Sequence, residues 1–283
     1  MRRKVFIIEQ TLLIEDLSSV GSVSLSIAMP IMTAFGEQPA IMPSMILSTH
    51  TGGFGQPATI SMAKNLPSFF AHWHKANVTF SNVLIGYLGS ELKVYEEISS
   101  FLKEDPTKLV LLDPAFADHG KLYSGMSTAV VTRYLKLCQN AQILLPNLTE
   151  ACFLLEQNVS DTINRHYLTS ILKKLSQKTG IDNVAITGIE LDNQIGTAFL
   201  TADEFHYVSS EKVVGDFFGT GDLFSSLVLG FLLNKETFQT ALKLANKWTS
   251  EAVLETAEQG QRDSRMGITL SSVLSNILAY KGS

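Results

Sequence analysis

Cysteine is almost missing from this chain: Cys138 and Cys152 are the only two in 283 residues. They lack metal-ligand spacing. In a chain this long they read as free thiols of a reducing compartment rather than a disulfide framework. Charge is sparse too, with 17 % Asp, Glu, Lys and Arg and a formal net charge of −5. No Lys/Arg-rich block occurs, which argues against nucleic acid as the main partner and favours a small diffusible substrate. No apolar run is long enough to span a bilayer. The basic lead Met1-Arg2-Arg3-Lys4 and the apolar residues after it are too brief for a secretory leader, and Glu9, Glu15 and Asp16 interrupt the apolar pattern beyond them. A cytoplasmic protein with no membrane partner is the expectation. Two common phosphate-binding signatures are also absent. There is no Walker A lysine pattern, and Phe224 stands where a dinucleotide fingerprint needs its third glycine.

What is present is a rhythm. Short apolar runs at 5–8, 40–42, 83–85, 109–112, 143–145 and 184–187 alternate with helical patterns at 24–35, 91–103, 125–139 and 164–179. Such alternation predicts an α/β fold, a mainly parallel central sheet sandwiched between two helical layers. After Gly188 the pattern becomes a hairpin, 195–200 and 205–208, then helices at 222–233, 237–256 and 269–280. No repeat, low-complexity tract or linker divides the chain, so a single domain over 1–283 is expected.

In open sheets of this kind, ligands gather at the carboxyl ends of the parallel strands. The suggestive residues fall there. Asp16 and Gly21 follow the first run, and Asp113-Pro114 follows 109–112. Pro146-Asn147-Leu148-Thr149-Glu150 follows 143–145, Thr187-Gly188 closes the sixth run, and Thr49-His50-Thr51-Gly52-Gly53-Phe54-Gly55 follows the apolar residues 45–47. A further turn, Gly219-Thr220-Gly221-Asp222, opens a helix of unbroken apolar character. Glycines let backbone approach a ligand, and unpaired N–H groups at a helix start attract anions. A carboxylate beside an anion site is costly unless it must take a proton from the attacking group, which is the layout of phosphoryl transfer. The competing reading is a plain turn with an Asp cap. Asn147 and Glu150, three apart at a helix start, suit Mg²⁺ and its waters; the alternative is a capped surface helix. His72-Trp73-His74 reads as surface or packing, since a helix points the two histidines apart.

Taken together, Gly219-Thr220-Gly221-Asp222-Leu223-Phe224, Asp113-Pro114, Pro146-Asn147-Leu148-Thr149-Glu150-Ala151 and Thr187-Gly188 resemble the ribokinase-like superfamily. Asp16-Leu17-Ser18, Ser24-Leu25, Leu47-Ser48-Thr49-His50-Thr51-Gly52-Gly53-Phe54, Gly86-Tyr87-Leu88-Gly89-Ser90 and His119-Gly120-Lys121-Leu122-Tyr123 are similar to pyridoxal/pyridoxamine kinases of the Firmicute type. The resemblance runs over nearly the whole chain. It implies an ATP-dependent kinase acting on the 5′-hydroxymethyl group of a vitamin B6 vitamer, and usually a homodimer. Asp222 would be the general base, and the Gly219, Thr220 and Gly221 backbone would stabilise the transferring phosphoryl group. Asp16, Ser18, His50 and Tyr87 would surround the pyridine ring. Asn147 and Glu150 would organise Mg²⁺, partly through water, with Asp113 near the phosphates. Thr187, Gly188, Val213 and Val214 would line the nucleotide, and a monovalent cation is allowed.

Two segments depart from that pattern, Ser19-Val20-Gly21-Ser22-Val23 and Phe116-Ala117-Asp118. They leave kinase chemistry intact and bear on the substrate. Three rivals remain: a hydroxymethylpyrimidine kinase, a catalytically inactive vitamer-binding protein, and a sugar kinase. The last lacks its polar, glycine-rich opening here. The sheet near 195–208 is a candidate surface for pairing with a second subunit.

Overall fold

The computed structural model describes residues 8–106, 108–260 and 262–281. In chain order the elements are β1 (Ile8–Ser18), α1 (Leu25–Ala34), β2 (Ala40–Leu47), β3 (Thr59–Ser61), α2 (Leu66–Ala76), β4 (Val78–Ile85), α3 (Leu92–Lys103) and β5 (Leu109–Leu112). A small hairpin, β6 (Ala117–Asp118) and β7 (Lys121–Leu122), leads to α4 (Thr128–Cys138), β8 (Ile143–Leu144), α5 (Leu148–Leu154) and α6 (Arg165–Thr179). Then come β9 (Asn183–Leu191), β10 (Gln194–Thr201), β11 (Glu204–Glu211), α7 (Thr220–Leu233), α8 (Phe238–Glu258) and α9 (Ser271–Lys281).

One nine-stranded sheet has the order β11-β10-β9-β8-β5-β4-β1-β2-β3. Strands β1, β2, β4, β5, β8 and β9 are parallel, and β3, β10 and β11 run antiparallel at the edges. The parallel strands are apolar throughout because both faces are covered. Leu109-Val110-Leu111-Leu112 sends Val110 and Leu112 into one core with α2 to α6, and Leu111 into the other with α1, α7, α8 and α9. This is the three-layer α/β/α arrangement that the alternation predicts.

The differences are local. The first strand, expected at 5–8, runs over Ile8–Ser18, and residues 5–7 lie outside the described residues. Asp16 is therefore inside the strand's end, where the register with β2 shifts between Glu15 and Leu17. That bulge turns side chains at the strand's carboxyl end toward new partners. The runs at 40–42 and 45–47 form one strand through Pro43. Strand β9 continues past Thr187-Gly188 to Leu191. Helix α2 is not anticipated by the sequence reading. On it His72 and His74 are exposed, while Trp73 packs against Phe70, Phe80 and Phe101. Among the described residues no helix is long and apolar enough to cross a membrane.

Candidate active site

Helix α7 opens on bare backbone. Gly219 precedes it with φ 89°, a left-handed conformation that glycine adopts without steric cost. A side chain there would place a Cβ 2.5 Å from the Ser22 carbonyl oxygen. The N–H groups of a first helical turn have no intrahelical acceptor, so Thr220, Gly221 and Asp222 offer an anion cradle reinforced by the helix dipole. Gly221 is exposed, and a Cβ on it would meet only Asp113 Oδ2, at 3.9 Å.

Asp222 lies in that first turn. Its Oδ2 accepts a hydrogen bond from the Ser24 backbone N–H at 2.7 Å. Burial, aided by the nearby Asp16 carboxylate, pushes Asp222 up to about 6. Asp113 directly follows β5, and its N–H donates to Ile85 O at 2.8 Å. Burial, then the Asp222 charge, pushes its carboxyl up to about 7. Asp16, 3 % exposed, accepts from the Ser24 hydroxyl at 2.5 Å and the Ser18 hydroxyl at 2.7 Å. Its own burial still holds it above the usual carboxylate range. Asp16 and Asp222 thus meet at Ser24, whose backbone sits at φ 47°, and the Asp222 charge in turn acts on Asp113.

Asn147 and Glu150 form a reciprocal capping box at the start of α5. Glu150 N–H donates to Asn147 Oδ1 at 3.0 Å, and Asn147 N–H donates to Glu150 Oε2 at 2.9 Å. Glu150 Oε1 also accepts from Phe116 N–H at 3.0 Å and Ala117 N–H at 3.3 Å, while Asn147 Nδ2 donates to Ala117 O at 2.7 Å. The pair thereby fixes the β6 loop. Burial, with Asp113 adding, raises the Glu150 carboxyl well above its ordinary value. Among the described residues no three His, Cys, Asp or Glu side chains are grouped to hold a metal. Both side chains are already bonded to backbone, so a cation organised by Asn147 and Glu150 would be reached at least partly through its water.

Where the nucleotide is expected, Thr187 N–H donates to Pro146 O at 2.9 Å, bridging β9 to the Asn147 loop. Gly188 follows with φ 64°. Val213 is half-buried, and Val214 is 93 % exposed, an apolar side chain standing free in solvent.

On the opposite side, His50 is a tie between loops. Its Nδ1 accepts from Gly52 N–H at 3.0 Å, so Nε2 carries the hydrogen and donates to Arg265 O at 2.5 Å. Its ring lies 5.0 Å from both Phe54 and Phe218, and the Arg265 guanidinium stacks over Phe54. Both nitrogens are thus committed to backbone, leaving the ring face. Tyr87 is half-buried, its hydroxyl pushed up to about 12 by burial and then by Asp16.

Sequence reasoning misses Arg265, Phe218 and Glu15, and it takes Ser24, with Leu25, only as part of the family resemblance, without a role in the site. Phe218 carries no local mark of its role. Glu15 does carry one: a carboxylate ending the apolar run Leu12-Leu13-Ile14.

The phosphomethylpyrimidine kinase family model matches residues 72–266, more than half of the chain. The crystal structure of pyridoxal kinase from Lactobacillus plantarum superposes with TM-score 0.90 and 36 % identity, over 96 % of this chain and 98 % of that one. The chain is 29 % identical over 178 residues to a pyridoxal kinase of Dictyostelium discoideum, covering 56 % of this chain and 56 % of that protein. It is 28 % identical over 193 residues to a hydroxymethylpyrimidine/phosphomethylpyrimidine kinase of Haemophilus influenzae, covering 66 % of this chain and 70 % of that one. The chain spans a little over half the length of the curated pyridoxal kinases it matches first.

Proposed function

The chain belongs to the phosphomethylpyrimidine kinase family, and from that membership we propose that it transfers the terminal phosphoryl group of ATP to the 5′-hydroxymethyl group of pyridoxal, pyridoxine or pyridoxamine. The observation that carries this is Asp222: a carboxylate in the first turn of α7, tied to Ser24 and shifted to about 6. A base with that proton affinity is ionised at neutral pH yet basic enough to accept a hydroxyl proton as the oxygen attacks. The Thr220, Gly221 and Asp222 N–H groups then face the charge that spreads over the phosphoryl oxygens. The vitamer's ring enters between Tyr87, Asp16 and the His50 face, with Ser18 holding Asp16 in place. The nucleotide lies across Asp113, Thr187, Gly188, Val213 and Val214; the bare side chain of Val214 supports an apolar contact with the base.

Mg²⁺ held at least partly through water by Asn147 and Glu150 would neutralise the ATP phosphates when bound. Among the described residues no lysine or arginine acts on Asp113 or Asp222, which supports the need for an added cation, a monovalent one included. The chain over 1–283 acts as one kinase domain in this reading, since a single sheet collects strands from Ile8 to Glu211. A homodimer and a cytoplasmic setting complete it. Ile60 on edge strand β3 and Ile195 on β10 are exposed apolar side chains suited to pairing, and both buried cysteines are free. Light scattering that returned a monomer would remove the dimer.

A second reading, phosphorylation of hydroxymethylpyrimidine, is favoured by the family description itself. ATP consumption measured across B6 vitamers, hydroxymethylpyrimidine and simple sugars tests both. The highest kcat/KM is expected with a vitamer, and a highest value with hydroxymethylpyrimidine would replace the substrate while keeping the chemistry.

A further inference from the structure

Glu15 lies at the carboxyl end of β1, 0 % exposed, and neither of its carboxyl oxygens has a hydrogen-bond partner. Gly86, just beyond β4, leaves room for it: a Cβ on Gly86 would fall 2.8 Å from Glu15 Oε1. The charged groups that act on it are all carboxylates, Asp16 beside it on β1, Asp222 on α7 and Asp113 after β5. Leu13, on the same face of β1, belongs to the apolar core shared with α1 and α7.

Among the described residues no lysine or arginine acts on Glu15, Asp113 or Asp222, and on Asp16 only His50 does, so the four carboxyl groups repel one another and ionising all four before a cation binds is strongly disfavoured. Three have donors that favour the charged form: two hydroxyls on Asp16, the Ser24 N–H on Asp222 and the Ser225 hydroxyl beside Asp113. Glu15 has none. Burial, then its three neighbours, drives it well above the ordinary carboxylate range.

We propose that Glu15 is a positioning residue of the phosphoryl-transfer site: a carboxylic acid kept neutral between Gly86 and the Asp16, Asp113 and Asp222 carboxylates, so that Asp222 ionises beside an incoming anion without a fourth negative charge behind it. The proposal rests on the assignment of Asp222 as base. Loss of the Glu15 proton places a charge behind the phosphate cradle, which opposes the anionic nucleotide and the transition state. Protonation of this one buried group is then a condition for turnover.

The experiment is Glu15→Gln, which copies the neutral acid in shape and cannot ionise. The ratio of its kcat/KM to that of the unaltered enzyme should rise with pH, by up to about tenfold per pH unit above the ionisation of Glu15. If Glu15→Gln does not fold, Glu15→Met, apolar and of similar length, must give the same rising ratio. A ratio that stays flat across the pH range in which the infrared carboxyl band of Glu15 disappears overturns the role, as does a carboxyl band already absent at neutral pH. Infrared difference spectra between the enzyme and Glu15→Gln at neutral pH supply a reading independent of turnover. They should show the C=O stretch of a protonated carboxyl lost on substitution; loss of a carboxylate band instead overturns the proposal. Failure of the Asp222 assignment is separate: it shows as normal turnover by Asp222→Asn, with the protonated-carboxyl band unaltered.

Discussion

The backbone N–H of Ser24 donates to Asp222 Oδ2 at 2.7 Å across 198 positions of sequence. Ser24 reaches that carboxylate from φ 47°, a conformation that costs a non-glycine residue about 1–3 kcal/mol. The same residue's hydroxyl holds Asp16. One strained serine therefore fixes the spacing between the proposed base and the ring pocket. Asp222→Asn keeps the size and the helix start but removes the base. It should lower kcat by about 10²–10⁴-fold, or roughly 3–5 kcal/mol of barrier. ATP binding, read by isothermal titration, should persist because the N–H cradle is unchanged. Near-normal turnover by this variant would falsify the assignment.

The same carboxylate sets the pH dependence. Asp222 must be ionised to accept a proton, so kcat should fall as pH drops through about 6. Stability should move the opposite way. Asp113 and Asp222 hold their protons more tightly folded than unfolded, with folded values of about 7 and about 6. Their stabilising contribution is complete below the unfolded carboxylate range. It is lost progressively as pH rises through the folded values. Asp222→Asn should therefore melt at a higher temperature than the unaltered enzyme at pH 8, with the difference shrinking toward pH 4. A melting curve unchanged by the substitution at pH 8 would contradict the strained charge cluster.

Glu150 separates a structural from a metal-organising role. Its two oxygens accept backbone N–H groups from Asn147, Phe116 and Ala117. Glu150→Gln replaces one acceptor with a donor facing an N–H. Leaving a buried group unpaired costs about 1–3 kcal/mol, so Tm should drop. If Mg²⁺ is also held through this carboxylate, the Mg²⁺ concentration for half-maximal rate should rise as well, because a hard cation favours a charged oxygen. A lower Tm with an unmoved Mg²⁺ titration would leave Glu150 as the cap of α5 alone.

How much of this is legible in the sequence differs by residue. Leu109–Leu112 is legible to its ends because both faces of that strand are buried, giving a continuous apolar run bounded by polar residues. Asp113, Asn147 and Asp222 are legible because they stand where strands end or a helix begins. Helix α2 carries a usable signal, Leu66, Phe70 and Trp73 at helical spacing, but a short segment with Pro67 and two histidines reads weakly. Asp16 reads as lying beyond its strand because Glu9-Gln10-Thr11 ends the first apolar run and hides the strand's continuation to Ser18. Ser24 is visible only as part of the family resemblance, and its role is not, because that role depends on Asp222, 198 positions away. His50 is visible as a polar residue at a strand end, and its geometry is not. Nothing in Thr49-His50-Thr51 says that both ring nitrogens go to backbone.

That geometry yields the last prediction. His50 joins the loop after β2 to the segment before α9, through Gly52 N–H on one nitrogen and Arg265 O on the other. Phe54 and Phe218 pack on the ring, and Arg265 in turn covers Phe54. In the proposed reading this loop covers the substrate, where exclusion of water would protect the transferred phosphoryl group. His50→Ala removes both hydrogen bonds and the ring that Phe218 leans on. It should raise the vitamer KM, and increase ATP hydrolysis without a vitamer, because the loop no longer holds water out. The ATP affinity should stay near its original value, since Thr187, Gly188 and Val213 lie on the other side of the cradle. His50→Gln, which can still bridge the two loops, should recover part of the vitamer KM. An ATP affinity lost together with vitamer use would instead make His50 a general support of the fold.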